Sequence, residues 1–113
     1  MIYVLKMDLE YSRAILFVRL DGKLNRNTTY KINNYLVPLL LKHRIKYLVF
    51  NLYNLEDLDD DGIDAMLNVK YAIKNNKGLI YLCEVNKNLN RKLHKLRIKK
   101  TENELSAFKV IEV

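Results

Sequence analysis

Six carboxylates crowd into one short stretch of this chain, Leu55-Glu56-Asp57-Leu58-Asp59-Asp60-Asp61-Gly62-Ile63-Asp64. Such a cluster can chelate a cation, cap a helix, or present charge to a partner. The run Asp57-x-Asp59-x-Asp61-Gly62 matches the start of an EF-hand calcium loop. The match fails further on: the twelfth position is Asn68 where a bidentate Glu is needed, and the usually apolar eighth is Asp64. No metal is therefore expected. Capping remains open, because aspartates favour helix starts and turns for local reasons, and so does a charged partner surface. Other chemistry is poorly supplied. Ser12, Ser106 and Cys83 lie in no nucleophile motif, and His43 and His94 lack metal-ligand spacing. With three glycines in all, the chain has no phosphate-cradling loop. Neither catalysis nor a cofactor is expected.

The counterpart of the acidic stretch is a basic one. Lys87, Arg91, Lys92, Lys95, Arg97, Lys99 and Lys100 follow one another with no acid among them, and these seven equal the whole formal charge of +7. The rest of the chain balances to zero, so acidic loop and basic segment read as opposite poles. Leu89, Leu93 and Leu96 interleave with the cations and claim the inward face. A solvated outer face is then the simplest account of the charges. No nucleic-acid motif accompanies them, and no specific nucleic-acid binding is expected.

At 113 residues, half of them apolar, the chain reads as a single domain, 1–113. No apolar run approaches the ~20 residues of a membrane span. The N-terminus does not read as a signal peptide, and one cysteine cannot form an internal disulfide, so a cytoplasmic protein is expected.

The elements that must carry the acidic stretch follow from periodicity. Ile2–Glu10 alternates, with Tyr3, Leu5, Met7 and Leu9 on one side. Tyr11-Ser12-Arg13 turns, and Ala14–Leu20 is a second strand pairing antiparallel with the first. A helix runs towards Lys42 on Ile32, Leu36, Leu39 and Leu40, with a kink expected at Pro38. Ile45–Leu52 is apolar at nearly every position, which marks a strand covered on both faces. The acidic loop follows, with Gly62 at its sharpest point. A second helix then runs to about Asn75 and closes on Lys74-Asn75-Asn76-Lys77-Gly78. Leu79–Cys83 is another buried strand, Asn86 caps a short helix, and Arg97–Lys100 adds a short edge strand. Thr101-Glu102-Asn103-Glu104 reads as a capping box before a last helix that buries Leu105, Phe108 and Val110 or Ile111. This is an α/β chain, a four- to five-stranded mixed sheet of N-terminal antiparallel hairpin plus parallel strands, with about four helices.

That order, with Leu20-Asp21-Gly22-Lys23-Leu24-Asn25 after the second strand, Leu48-Val49-Phe50-Asn51-Leu52 in the third, and Leu58-Asp59-Asp60-Asp61-Gly62-Ile63 in the loop, resembles the STAS domain of anti-sigma factor antagonists (anti-anti-sigma factors). The family pattern in that loop is a hydrophobic residue, then Asp-Ser-Ser/Thr-Gly-Leu. The resemblance implies a regulatory module that binds a kinase-like anti-sigma factor, or another STAS-pathway protein, and so controls transcription. It implies no cofactor and no catalysis. In the family the kinase phosphorylates the Ser/Thr just before the loop glycine. Here that position is Asp61 and the one before it Asp60; neither accepts phosphate from a Ser/Thr kinase. A second family Asp, after the second strand, is Asn25. The expected contact surface is Asn25, Asp59, Asp60, Asp61, Gly62, Ile63 and Asp64. The alternative is a non-catalytic assembly subunit, stressosome-like or homo-oligomeric, that has lost the phosphorylation switch; the oligomeric state is left open.

Overall fold

The computed structural model of the chain describes residues 4–111. Five strands form one sheet in the order β1-β2-β3-β4-β5. β1 (Leu5–Ser12) and β2 (Ile15–Leu24) are antiparallel; β3 (Tyr47–Leu58), β4 (Leu79–Cys83) and β5 (Lys99–Lys100) continue in parallel. The expected mixed sheet is thus present. The part of the first strand assigned to Ile2 and Tyr3 lies outside the described residues. The hairpin turn is Arg13–Ala14 rather than Tyr11–Arg13. Both turn residues have positive φ, 51° and 69°, which matches the twist of the flanking strands. Leu9 is half-exposed rather than inward.

The chief departure is in β2 and β3, which run past their expected ends at Leu20 and Leu52. Leu24 pairs with Leu58, and Gly22 with Leu55. Between Arg19↔Asn51 and Leu24↔Leu58 the register slips twice, so β3 inserts two more residues than β2. These bulges bring Leu52, Leu55 and Leu58, spaced by three, to the same buried face. The first residues of the acidic stretch therefore belong to a strand, not a loop.

The two sheet faces are covered differently. One carries α1 (Lys31–Leu36 and Val37–Lys42), α2 (Asp60–Asn75) and α3 (Lys87–Leu93), which close over Leu48, Phe50, Leu52 and Leu20. Leu89, Leu93 and Leu96 are buried there, the last in a 3-10 turn, His94–Leu96. Among the described residues the other face carries only α4 (Glu104–Val110), over Phe17, Val49 and Cys83.

The first helix, α1, is continuous through Pro38, but its first part, Lys31–Leu36, is wound as a π-helix and its second, Val37–Lys42, as an α-helix. The Val37 N–H donates to Ile32 rather than to Asn33. α geometry would set the proline ring against the Asn34 carbonyl; the wider turn directly before it absorbs that conflict. At the end of α2 the left-handed residue is Lys77 (φ 60°), not Gly78. Gly78 is needed because a Cβ there would sit 1.8 Å from the Lys46 carbonyl oxygen.

The capping box at Thr101 does not form. Asn103 is the N-cap of α4 and accepts from the Ser106 N–H at 2.8 Å. This rotates the helix relative to expectation. Ala107 and Ile111 are buried, Phe108 half-buried, and Leu105 75 % exposed.

Candidate functional site

The acidic stretch is a strand end, a cap and a first helical turn. Asp59 is the N-cap of α2: its carboxylate accepts from the Gly62 N–H at 2.8 Å and from the Arg26 N–H at 3.1 Å. Its own N–H donates to the Leu24 carbonyl at 3.3 Å. One side chain thus ties together the ends of β2 and β3 and the start of α2. Gly62 is not at a sharp turn but inside that first helical turn, pressed against β2. A Cβ there would lie 2.5 Å from the Leu24 carbonyl oxygen and 2.7 Å from the Leu58 side chain.

Asn25 is brought alongside by the same bonds. Its N–H donates to the Thr28 hydroxyl and its side-chain oxygen accepts from the Asn27 N–H, each at 2.9 Å. Thr28 in turn donates to the Lys23 carbonyl at 2.8 Å and is buried. Sequence reasoning missed Thr28 and Arg26 as supports. Two residue types that bond their own backbone, Asn25 and Thr28, three apart after a strand, were the available signal.

Of the seven expected contact residues, Asp60, Asp61 and Asp64 are exposed, and Asn25 and Asp59 are partly so. Gly62 and Ile63 are buried, the latter in the main core; they position the corner rather than face outward.

The two charge poles are neighbours, not opposites. Lys92 Nζ donates to the Leu58 carbonyl at 2.9 Å and lies 3.5 Å from Asp57. Lys95 Nζ is 3.7 Å from Asp60. Lys70 Nζ donates to the Leu96 carbonyl at 3.0 Å, lashing the same 3-10 turn to α2. The α3 flank of the corner is therefore charge-balanced. Asp61 and Asp64 have no ion pair among the described residues. They add to the first turns of a 16-residue helix, whose N-terminal dipole favours anions.

A carboxyl held below its ordinary pKa lies elsewhere, on the second sheet face. Arg19 makes two bonds to Glu104, at 2.7 and 2.8 Å, and pairs with Asp8 and Glu10 at 2.8 Å each. This guanidinium lowers the Glu104 carboxyl below its ordinary value against the opposing effect of burial, and the Asn51 amide assists. The three carboxylates in turn hold Arg19 more firmly charged. Its geometry is that of a clamp on α4. Among the described residues, no group of three His, Cys, Asp or Glu side chains is placed to hold a metal ion. No helix among them is long and apolar enough to cross a membrane.

The chain as a whole is similar to known proteins. An anti-sigma F factor antagonist from Paenibacillus polymyxa is 28% identical over 114 residues, spanning 96% of this chain and 97% of that protein. The solved structure of the anti-sigma factor antagonist SpoIIAA in its unphosphorylated form superposes with a TM-score of 0.78 at 17% identity, over 96% of this chain and 100% of that one. An anti-sigma factor antagonist from Mycobacterium paratuberculosis gives 0.82 at 12% identity, over 97% and 96%. The family model described as the STAS domain matches residues 6–109, and by that match the chain belongs to the STAS domain family.

Proposed function

We propose that this domain is an anti-sigma factor antagonist that binds a kinase-like anti-sigma factor through the corner at the start of α2. Asp61 stands there in place of the phosphorylated residue. The observation that carries the reading is the placement of Asp61. It is exposed in the first turn of α2, immediately before the glycine that packs against β2, and it has no counter-ion among the described residues. The antagonist names of its relatives support the same reading. Asn25, Asp59, Asp60, Asp61 and Asp64 form the contact patch, with Gly62 and Ile63 as its foundation. The domain binds rather than catalyses, and acts in the cytoplasm.

Asp61 supplies one fixed negative charge where a phosphate would supply ~1.5 to 2. A serine kinase cannot switch it, so the contact is set permanently in one state. Calorimetric titration of the native chain and of Asp61→Ser against the kinase-like anti-sigma factors of its own genome, with nucleotide present, tests this. Tight binding by the native chain marks a constitutive antagonist. Binding by the serine variant alone marks Asp61 as a mimic of the inactive state. If neither binds, the antagonist reading fails and an assembly role, read out as a persistent oligomer, takes its place.

A further inference from the structure

α2 presents two unlike flanks. Towards α3 its acids are met by lysines, as described. Towards α1 lies an open groove of about 440 Å3 floored by Val37, Leu41, Tyr71 and Ala72. Tyr71 and Leu41 are 59 % and 43 % exposed and both line it. The Asn68 amide donates to the Asn33 side chain at 3.0 Å and bridges the groove's rim. Single exposed apolar side chains are ordinary; here two of them line one concavity.

The charges along this groove are ordered. Residues three and four apart share a helix face, so Asp61, Asp64, Asn68, Tyr71 and Asn75 form one row down α2. The row begins with the two carboxylates that have no ion pair among the described residues and ends beside Lys74. α1, alongside, ends on Lys42. The row is therefore acidic at its start and runs into the apolar middle of the groove; Lys42 and Lys74 stand exposed at the C-terminal ends of the two helices, outside the groove's lining.

We propose that this groove is the second half of the partner contact and takes one amphipathic helix of the kinase-like partner; this rests on the antagonist reading above. A helix suits two packed helices, whose surface ridges leave a groove for a third. Asp61 to Asn75 spans ~21 Å at 1.5 Å per residue, so the occupant is about four turns long. Its arginines or lysines lie over Asp61 and Asp64, its apolar stripe on Leu41 and Tyr71, and its acids beside Lys42 and Lys74. The corner sets the register, and the groove supplies most of the contact that water cannot replace.

The test uses the 15N-labelled full chain titrated with the kinase-like anti-sigma factors of its own genome. The side-chain amides of Asn33, Asn68 and Asn75 serve as reporters in the groove, and the backbone amides of 60–64 as reporters at the corner. The expected result is that both sets shift together, and that Tyr71→Ala and Leu41→Ala each weaken binding at least about tenfold. Leu105→Ala, on the far sheet face, leaves it unchanged. All three side chains are exposed, so folding is not at stake. Shifts confined to 60–64, with Tyr71→Ala and Leu41→Ala binding normally, overturn the groove and leave the antagonist reading standing. Absence of any shift overturns both.

Discussion

The two faces of the sheet are held by different physics. The face under α1, α2 and α3 is a continuous apolar core, with Leu48, Phe50, Leu52, Met66 and Ile73 all inaccessible to solvent. The face under α4 has a small apolar cluster, in which Phe17 and Phe108 meet at 5.3 Å between ring centres, and the four-way contact of Arg19 with Asp8, Glu10 and Glu104. Hydrophobic burial is non-directional and insensitive to pH; an ion-paired clamp is directional and titrates. The corner at the start of α2 grows from the first face, away from the clamp. The second face closes the fold but does not build the site.

Substitutions separate the two. Phe50→Ala strikes the shared centre of the first face and is expected to cost about 3–5 kcal/mol in chemical denaturation. Gly62→Ala, which forces α2 away from Leu24, is expected to cost about 1–3 kcal/mol. It should also weaken partner binding, since it shifts the whole first turn.

On the second face Glu104→Gln is expected to cost about 1–2 kcal/mol, allowing for partial exposure of the pair. Its signature is pH dependence. The folded Glu104 carboxyl is lowered relative to the unfolded one, so its contribution is complete above the ordinary carboxylate pKa. The contribution is lost as pH falls from there through the lowered value. The difference in Tm between native chain and variant should close on acidification, whereas that for Phe50→Ala should persist. Asp59→Ala removes the cap of α2 and is expected to cost about 1 kcal/mol. The smallest effect is that of Asp61→Ser: stability should change by less than about 0.5 kcal/mol, while affinity for the partner changes. If Asp61→Ser proved as destabilising as Asp59→Ala, the exposed carboxylate would be a structural cap and not a contact.

Periodicity marked out α2, which buries one clean face, and the span of β4, although β4 is buried only at Leu82 and Cys83 and its first residue, Leu79, is 48 % exposed rather than buried. It missed the ends of β2 and β3 because Leu52, Leu55 and Leu58 are spaced by three, which is no strand period. Only the paired bulges against β2 reconcile that spacing with a single buried face, and bulges leave no local trace. The placement of Asp61 before Gly62 was legible because the motif is contiguous. The lysines that neutralise Asp57 and Asp60 were not, since Lys92 and Lys95 lie more than thirty residues away and met the corner only through the packing of α3. The last helix was misread for a local reason. Thr101 and Asn103 both qualify as caps, and choosing the earlier one turned Leu105 inward.

Cys83 lies beneath α4 without solvent contact, and burial is the main cause pushing its thiol up to about 12. Near neutral pH the closed protein has almost no thiolate to offer an alkylating reagent. Each reaction event must wait for an opening, so the labelling half-life is a clock that counts how often the second face lifts. Run on the native chain and on Glu104→Gln, the same clock would time the Arg19 clamp: a half-life shortened by more than the variant's loss of global stability accounts for would mean that α4 comes away alone while the corner at α2 stays assembled.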